Sequence, residues 1–575
     1  LLLAAGLAAS LGTLAACGSD DDDGTGPTVT PPLGLTVTPK STSELTVTFS
    51  GTAGDNSYSI ERAEGTAGTF AEVTTVPYAA GTITYTDASL KVNTEYRYRV
   101  AALRGSTKSA FTSEVTARTK DFGNAAADLT GDITANRTLF ADTAYTIKGF
   151  VHVANGATLT IQAGTKIFGD FNTLGSSLFI LRGAKINAIG TAAAPIIFTS
   201  SRPVGQRQPG DWGGLIIVGN ARINRSGTVD VEGTGTDNTT PPGGKNYNVA
   251  YSGGTTDTDN SGTLSYVRVE FAGYAPSLNN ELNSFTFAAV GSGTRVSYLQ
   301  SMAGLDDSFE FFGGGLVGDH LVSYEAGDDH FDMSEGFRGT LQYLIAFQST
   351  QLTPRTGSGS IASDPEGIEN DGCSGSGCDN GFNSTPLTVP VVANFTLVGT
   401  GSQATSGTSG GFGMMIRRGT GGFYVNGIVA RFPGAGASIR DADTYARAGS
   451  IAVPDLATAD LGIKNVLFAQ DGAPFQSGAG QFSFDMTGNA LVNNTTATAA
   501  SLFTAFPATV DQNTTAAAFD WTPPAGSPAA SGGLAAFTGK LATAAGAGVT
   551  GTTYVGAAEP GGAKWWQGWT TYAQR

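Results

Sequence analysis

The chain has 575 residues, of which 32 are basic and 48 acidic, so its formal net charge is −16. This balance argues against a nucleic-acid-binding protein, because no large positive surface is available to neutralise phosphates. Only 14% of residues are charged, 81 are glycine, and just three histidines and three cysteines are present, a composition that disfavours helices and an elaborate histidine and cysteine metal centre.

An apolar stretch of small residues comes first and ends in Leu14-Ala15-Ala16-Cys17. It is too short for a permanent membrane-spanning helix and is typical of the hydrophobic part of a secretion signal. Its ending resembles a bacterial lipobox. The resemblance implies that residues 1–17 are a lipoprotein signal peptide and that Cys17 becomes the lipidated first residue of the mature protein. An ordinary signal peptide with an incidental cysteine is the alternative.

Residues 18–30 contain four consecutive aspartates, Asp20 to Asp23, between glycines and serine. Like charges repel and glycine adds chain entropy, so we predict a disordered acidic tether. The acidic run behind the cysteine resembles the surface-export signal of some bacterial lipoproteins, and a merely solvated linker is the alternative. We therefore expect a lipoprotein of the bacterial outer membrane, held there by its lipid anchor and exposed at the cell surface.

Residues 31–120 contain short alternating segments separated by turn residues, the pattern of a β-sandwich. One of them is Leu45-Thr-Val-Thr-Phe49. Leu90 followed by Thr94-Glu-Tyr-Arg-Tyr-Arg-Val100 resembles the fibronectin type III pattern, although Phe49 stands where that family commonly has tryptophan. The resemblance implies a spacer or interaction module.

Residues 128–495 repeat a short β-branched run and a glycine or asparagine turn, as in Tyr145-Thr-Ile-Lys-Gly-Phe-Val-His-Val153 and Gly214-Leu-Ile-Ile-Val218. Short strands at a regular period without crossover helices indicate a parallel β-helix, whereas a series of β-sandwiches would need closer hairpin turns. We predict an all-β protein, a fibronectin III-like sandwich followed by a long right-handed parallel β-helix. At about 22 residues per coil the β-helix would have roughly 17 coils.

Acidic residues recur within this domain at a shift of 22 positions. Leu305-Asp-Asp-Ser-Phe-Glu310 aligns with Gly327-Asp-Asp-His-Phe-Asp332, and Glu366-Gly-Ile-Glu-Asn-Asp-Gly372 follows as a third acidic turn. Stacking on successive coils would place equivalent carboxylates about 4.8 Å apart. Calcium takes six to eight oxygen ligands, so we hypothesise calcium as a cofactor, bound by Asp306, Asp307, Glu310, Asp328, Asp329, Asp332, Glu369 and Asp371. A solvated acidic edge and a catalytic carboxylate cluster are the alternatives.

Several segments of the domain resemble a family of bacterial β-helical surface lipoproteins for which no activity is established. They include Asp306-Asp-Ser-Phe-Glu-Phe-Phe-Gly-Gly314, Gly367-Ile-Glu-Asn-Asp371, Ile416-Arg-Arg-Gly-Thr420 and Trp566-Gln-Gly-Trp569. The resemblance implies export and a β-helix, and it leaves the activity open.

Two functions remain open from the sequence. The first is a non-enzymatic surface protein whose rod acts in adhesion, glycan binding or surface structure, with polysaccharide or a neighbouring cell surface as partner. The second is a calcium-assisted polysaccharide lyase or glycoside hydrolase, since a lyase needs a cation and a basic residue, and a hydrolase needs paired carboxylates. The candidate catalytic residues are Asp306, Asp328, Asp329, Asp332 and Arg338. We interpret His330 as a turn residue hydrogen-bonded to a carboxylate. The glycine-rich segments lack the features of a phosphate-binding loop, so we expect no nucleotide ligand.

Three further features complete the prediction. Cys373 and Cys378 are expected to form a disulfide, because zinc would need two more ligands. Arg417, Arg418, Arg431 and Arg440 form a basic neighbourhood that we expect to pair with the acidic edge rather than clamp a glycan. Residues 496–575 combine a low-complexity alanine, threonine and glycine segment with a tryptophan-rich end, which we expect to cap the open end of the β-helix.

Overall fold

The computed structural model describes residues 29–572 apart from 42, 92–93, 121–124, 236–246, 278–279, 350–351, 363–364, 402–410, 494–496, 508 and 512. Cys17 and most of the predicted tether therefore lie outside the described residues. The chain divides into two compact units at Lys120 and Asp121, and each is described by itself. No described helix is long and apolar enough to cross a membrane.

The N-terminal unit is a sandwich of two antiparallel sheets, which confirms the predicted fibronectin III-like fold. One sheet has the order β1-β2-β5, and the other has the order β4-β3-β6-β7 with β8 also paired to β6. The alternating pattern of β2 buries Leu45, Val47 and Phe49, and the Tyr98 hydroxyl donates to Asp87 at 2.7 Å. The strands are β1 Leu33–Pro39, β2 Leu45–Ser50, β3 Ser57–Glu64, β4 Ala71–Pro77, β5 Thr82–Asp87, β6 Glu95–Arg104, β7 Thr107–Lys108 and β8 Val115–Arg118.

The second unit is a parallel β-helix, as predicted. The first of its two long sheets, here called the narrow sheet, has eleven described strands. They are β10 Asp132–Ile133, β13 Phe150–Val153, β16 Ser177–Ile180, β19 Leu215–Val218, β21 Phe285–Ala288, β23 Phe309–Phe312, β25 Phe331–Ser334, β27 Ile368–Asp371, β29 Phe412–Arg417, β32 Ala435–Arg440 and β35 Gln481–Phe482. All pairings in it are parallel except that of β32 with β35.

The second long sheet, here called the wide sheet, has seventeen described strands. They are β9 Ala125–Leu129, β11 Arg137–Leu139, β12 Thr143–Ile147, β14 Thr158–Ile161, β15 Lys166–Gly169, β17 Lys185–Ile189, β18 Ile196–Ser200, β20 Gly262–Glu270, β22 Arg295–Met302, β24 Val317–Tyr324, β26 Thr340–Phe347, β28 Val391–Val398, β30 Gly422–Val425, β31 Ile428–Ala430, β33 Leu461–Lys464, β34 Leu467–Ala469 and β36 Val492–Asn493. The described helices are short: α1 Ala442–Arg447, α2 Ala499–Leu502 and α3 Gly539–Ala545, with single 3-10 turns at Gly381–Asn383, Ala516–Ala518 and Pro528–Ala530.

Ten of the eleven described strands of the narrow sheet, β10 to β32, stack in parallel, which corresponds to about ten coils rather than the roughly 17 expected from the sequence. The difference arises because long connections interrupt the coils, chiefly residues 219–261, 348–367 and 372–390. The described residues of these segments form connections between strands instead of further turns of the β-helix.

Aromatic side chains stack along the interior. The rings of Phe285 and Phe309 are 4.9 Å apart, and those of Phe309 and Phe331 are 5.3 Å apart. Phe311 is also fully buried in the core. Phe312 faces outward, and the centre of its ring lies 5.4 Å from the centre of the Tyr251 ring. Phe309, Phe311 and Phe331 fill the interior, and Phe312 packs against a residue of the outer cover. These four rings therefore do not form a platform for a sugar.

The C-terminal segment lies along the flank of the β-helix, not over its open end. Trp566, Trp569 and Tyr572 pack in one apolar cluster with outward-facing residues of the wide sheet such as Tyr324 and Phe347. Near the C-terminal end of the core, Tyr445, Phe482 and Met486 pack against the interior instead. The described residues between 497 and 572 therefore cover the outer face of the wide sheet, which is itself apolar, instead of forming the expected terminal cap.

Candidate functional site

Three consecutive strands of the narrow sheet bring the predicted acidic residues into register. Glu310 of β23 pairs with Asp332 of β25, and Asp332 pairs in turn with Glu369 of β27. Their neighbours Phe309 and Phe331 point into the core. Because side chains alternate along a strand, the carboxylates point to the outer face of the sheet. The shift of 22 residues and the third acidic turn thus stack as the sequence predicts.

The turns before these strands carry a second column of acidic residues. The backbone amide of Asp329 donates to Asp307 Oδ1 at 2.8 Å, and the amide of Glu366 donates to Asp329 Oδ1 at 2.7 Å. One coil earlier, the Asp307 amide donates to Asn283 Oδ1 at 3.0 Å. Each carboxylate therefore holds the backbone of the next coil while leaving its other oxygen for a further partner.

The two columns form one continuous group, here called the acidic ladder: Asp306, Asp307, Glu310, Asp328, Asp329, Asp332, Glu366, Glu369 and Asp371. Within it, four sets of three residues each place one carboxylate oxygen per residue within 4.8 Å of the others. The sets are Asp306, Asp307 and Asp328; Asp307, Glu310 and Asp332; Asp328, Asp329 and Glu366; and Asp329, Asp332 and Glu369. Carboxylate oxygens at this density are the donor set of a hard cation such as calcium.

The middle of the ladder is buried. Asp329 is 2% exposed, Glu310 5% and Asp307 7%. Burial, and after it the neighbouring carboxylates, raises the pKa of Asp306, Asp307, Glu310, Asp329 and Asp332 well above the ordinary range. Buried carboxylates this close together must be protonated or neutralised by a cation, because uncompensated buried charge is costly.

Two glutamates that the sequence did not single out join the ladder. Burial and the proximity of Glu281 raise the pKa of Glu232 to about 7. Both glutamates also raise the pKa of Asp306. Glu232 belongs to the long connection 219–261, which lies outside the repeat, so no periodicity could have identified it.

Arginines stand at the C-terminal end of the ladder. Arg417 forms ion pairs with Glu369 and Asp371, the second at 2.8 Å between Nε and Oδ1, and Arg418 also pairs with Asp371. Burial and Glu369 raise the pKa of Asp371 to about 6, although both arginines lower it. The expected pairing with the acidic edge is therefore observed for Arg417 and Arg418.

The other two members of the predicted basic neighbourhood make hydrogen bonds outside the acidic ladder, although Arg440 ends β32 on the coil next to Arg417. Arg431 donates to the Thr400 carbonyl at 3.3 Å, and Arg440 donates to Ser438 Oγ at 3.1 Å.

Arg338 and His330 do not have the surroundings expected of them. Arg338 follows the far end of β25 and pairs with Asp257 at 3.3 Å, so it is not a neighbour of the acidic ladder. The Nδ1 atom of His330 lies 2.5 Å from the Ser323 hydroxyl rather than a carboxylate, and burial lowers the pKa of His330 to about 3. The lowered pKa keeps the ring neutral, which suits a structural hydrogen bond.

Asp332 contributes an oxygen to the ladder that lacks a hydrogen-bond donor within the described chain. Asp332 Oδ1 is buried and accepts no hydrogen bond from the described part of the chain. Asp332 belongs to two of the four close sets, so a cation there would have ligands from three coils. Carboxylate oxygens are the kind of ligand that calcium takes, and each close set supplies three of the six to eight that it requires.

The disulfide loop holds the outer cover of the narrow sheet. Cys373 and Cys378 are joined, with 5.8 Å between their Cα atoms. Within this loop the Ser374 carbonyl accepts a hydrogen bond from Arg225 at 2.6 Å, and the Gly377 carbonyl accepts one from the Ser226 amide at 2.8 Å. The loop thereby fixes the start of the 219–261 connection, which also supplies Glu232 to the ladder.

Comparison with known proteins gives one match over most of the chain. The family model described as a pectate-lyase-like beta helix domain matches residues 131–522. No curated protein sequence matches the chain significantly.

Solved structures match the N-terminal unit. The chicken CNTN1 FN1-FN3 domains are 19% identical with a TM-score of 0.15, over 16% of this chain and 33% of that one. An Fn3-like protein from Clostridium thermocellum is 23% identical with a TM-score of 0.14, over 16% of this chain and 92% of that one. The chain thus spans a third of the CNTN1 fragment that it matches.

Proposed function

Because the chain belongs to the pectate-lyase-like β-helix domain family, we propose that it is a carbohydrate-binding scaffold of the cell surface, not an enzyme, and that calcium ions in the acidic ladder hold its coils together. The observation that carries this proposal is the burial of the ladder's middle carboxylates. A polysaccharide cannot reach side chains that are 2–7% exposed. Cations within the ladder therefore serve stability, and the polymer binds elsewhere.

Electrostatics supports the cation part of the proposal. Two carboxylates about 5 Å apart repel by roughly 3 kcal/mol at an effective dielectric of 20, and the four close sets multiply that repulsion. Calcium would offset it with flexible coordination by six to eight oxygens. The Asp332 Oδ1 atom, which lacks a hydrogen-bond donor among the described residues, is a natural ligand.

A titration of metal-free protein tests the cation. We expect stoichiometric calcium, found by elemental analysis, and a higher melting temperature when calcium is restored. Both effects should be lost when Asp306→Asn and Asp328→Asn are combined. The matched control is Asp443→Asn, which changes an exposed carboxylate of helix α1. Absence of bound metal and of any stability change in the unsubstituted chain would leave a protonated or solvated ladder.

The location is part of the same proposal. Lipidation at Cys17 would anchor the chain in the outer membrane, with the fibronectin III-like unit as spacer. The lipobox-like sequence supports it, and the disulfide is compatible with an oxidising compartment. Labelling cells with a radioactive fatty acid should mark the unsubstituted chain and not Cys17→Ala. Equal labelling of both chains would exclude this anchor.

Carbohydrate binding is tested with an array of extracellular polysaccharides probed with the full chain. We expect retention of selected polymers without their cleavage. No retention on any polymer would favour adhesion to protein or a purely structural role.

One observation favours the second candidate, a calcium-assisted polysaccharide lyase. The Arg418 side chain is 42% exposed and pairs with Asp371 at the ladder's C-terminal end, where a polymer has access. A lyase needs a cation to acidify the uronate and a basic group to remove its proton, and Arg418 replaces Arg338 as the candidate base. Ultraviolet detection of unsaturated products from uronic-acid polymers tests it. Activity that Arg418→Ala abolishes and Arg440→Ala retains would establish the lyase, and no product would reject it.

A further inference from the structure

A cavity lies far along the chain from the acidic ladder, between the last coils and the C-terminal segment. Its volume is about 680 Å³, within the range of small-ligand sites. The coils contribute Arg431, Gln470 and Asp471, and the C-terminal segment contributes Thr498, Ala500 and Phe506.

Arg431 brings positive charge to this cavity. It forms no ion pair with any described residue, and its guanidinium donates to the Thr400 carbonyl at 3.3 Å. The guanidinium carbon lies 5.3 Å from the centre of the Phe506 ring, a contact that orients the planar group. Arginine carries five N–H donors, so a carboxylate could bind here through two of them.

Asp471 offers a complementary acceptor in the same cavity. Its Oδ1 accepts the Phe432 amide at 2.9 Å, next to Arg431 in the chain. Its Oδ2 is buried and accepts no hydrogen bond from the residues that the structure describes. The Asp471 carboxyl group lines the cavity, where it can accept a hydrogen bond from a ligand hydroxyl.

We propose that this cavity binds a small sugar acid, with the ligand's carboxylate on Arg431 and a hydroxyl group on Asp471. The volume accommodates one or two sugar rings. The inference rests on the proposed carbohydrate-binding function and names the class of ligand. Burial raises the pKa of Asp471 well above its ordinary range, which lowers the repulsion between its carboxyl group and that of the ligand.

Calorimetric titration of the full chain with D-galacturonate tests the proposal, with D-galactose as the neutral probe and glycine as a probe for amino-acid binding. We expect saturable binding of galacturonate, at least about tenfold weaker binding of galactose, and at least about tenfold loss of galacturonate affinity in Arg431→Gln. Asp471→Asn should weaken binding as well. The matched control Arg440→Gln, an arginine over Phe412 outside this cavity, should bind normally.

A substitution on the exposed rim guards against loss of folding. Ala500→Trp would fill the cavity from an exposed position, and it should abolish binding with an unchanged melting temperature. Galacturonate binding that survives both Arg431→Gln and Ala500→Trp, or equal binding of galactose, would overturn the proposal. Preferential binding of glycine would overturn the sugar-acid class. No binding of galacturonate, together with polysaccharide retention on the array, would reject this site and leave the proposed function in place.

Discussion

Asp329 has two roles that conflict at neutral pH. Its Oδ1 accepts the Glu366 amide and thereby joins one coil to the next, yet its charge lies among other carboxylates at 2% exposure. Protonation relieves the charge and a cation neutralises it. The stability of the acidic ladder should therefore depend on both pH and calcium.

The pH dependence has a definite sign. A carboxyl group whose pKa is higher in the folded than in the unfolded state stabilises the fold fully below the unfolded pKa, about 4. This contribution is lost as pH rises through the folded pKa, about 6 for Asp371 and about 7 for Glu232. In a chelator the melting temperature of the β-helix should fall between about pH 4 and pH 7, and calcium should reduce that fall. A metal-free protein that becomes more stable over this interval would contradict the burial of these groups.

A substitution of Phe309 tests the contribution of the stacked aromatic rings of the interior to stability. Phe309→Ala removes a fully buried ring between Phe285 and Phe331, and should lower the free energy of unfolding by about 3–5 kcal/mol through lost burial and a cavity. Phe140→Ala is the matched control, since Phe140 is 50% exposed, and should change it by about 0.5 kcal/mol or less. Denaturant unfolding measures both, and equal effects would place Phe309 outside the core.

At the scale of elements, the turns explain what the sequence could and could not predict. The run from Tyr145 to Val153 reads as one strand, but the structure divides it into β12 and β13 on different sheets, with Gly149 at the corner at φ +76°. The wide-sheet strands bend without glycine: Tyr266, Tyr298 and His320 adopt φ of 51–56° at aligned positions. These bends are set by stacking on the neighbouring coils, so local sequence does not show them.

The acidic ladder was predictable where it repeats. The 22-residue shift aligned Glu310 with Asp332 correctly, because parallel register repeats once per coil. Glu232 and Glu281 reach the ladder from connections outside the repeat, and Arg338 follows the end of β25 opposite to the acidic turn. Periodicity alone gives neither the path of a connection nor the end of a strand at which a residue lies.

The C-terminal segment is an element whose removal has a specific consequence. Amide side chains of the wide sheet hold its backbone in both directions: Gln300 donates to the Thr571 carbonyl at 2.6 Å and accepts the Thr571 amide at 2.8 Å. Gln342 does the same with Thr550, at 2.7 and 3.1 Å. The segment thus continues the hydrogen bonding of the sheet over an apolar surface.

Deleting residues 560–575 should expose part of that apolar face, because Tyr324 and Phe347 lose their contacts with Tyr572. We expect increased binding of a hydrophobic dye and concentration-dependent aggregation in size-exclusion chromatography, because large exposed apolar patches associate. Deleting residues 573–575 alone is the control and should leave both measurements unchanged. A soluble 560–575 deletion without extra dye binding would show that the flank needs no cover.

At the scale of the whole molecule, the two units have separate cores. The N-terminal core contains Leu45, Tyr58 and Tyr98, and none of its members belongs to the second unit. Residues 29–120 expressed alone should therefore unfold cooperatively by circular dichroism, with a transition that calcium does not shift. Absence of a cooperative transition would mean that this unit depends on the β-helix.

The two aligned acidic copies have a consequence for the evolution of the β-helix length. Each comprises one narrow-sheet strand and the following wide-sheet strand, β23 with β24 and β25 with β26, and each pairs with the next in the same register. A tandem duplication of one copy in the gene would therefore insert a complete rung, lengthening both sheets and the row of carboxylates without disturbing either neighbour. Evolution could adjust the reach of this protein in steps of one coil, and the ion capacity would rise with it.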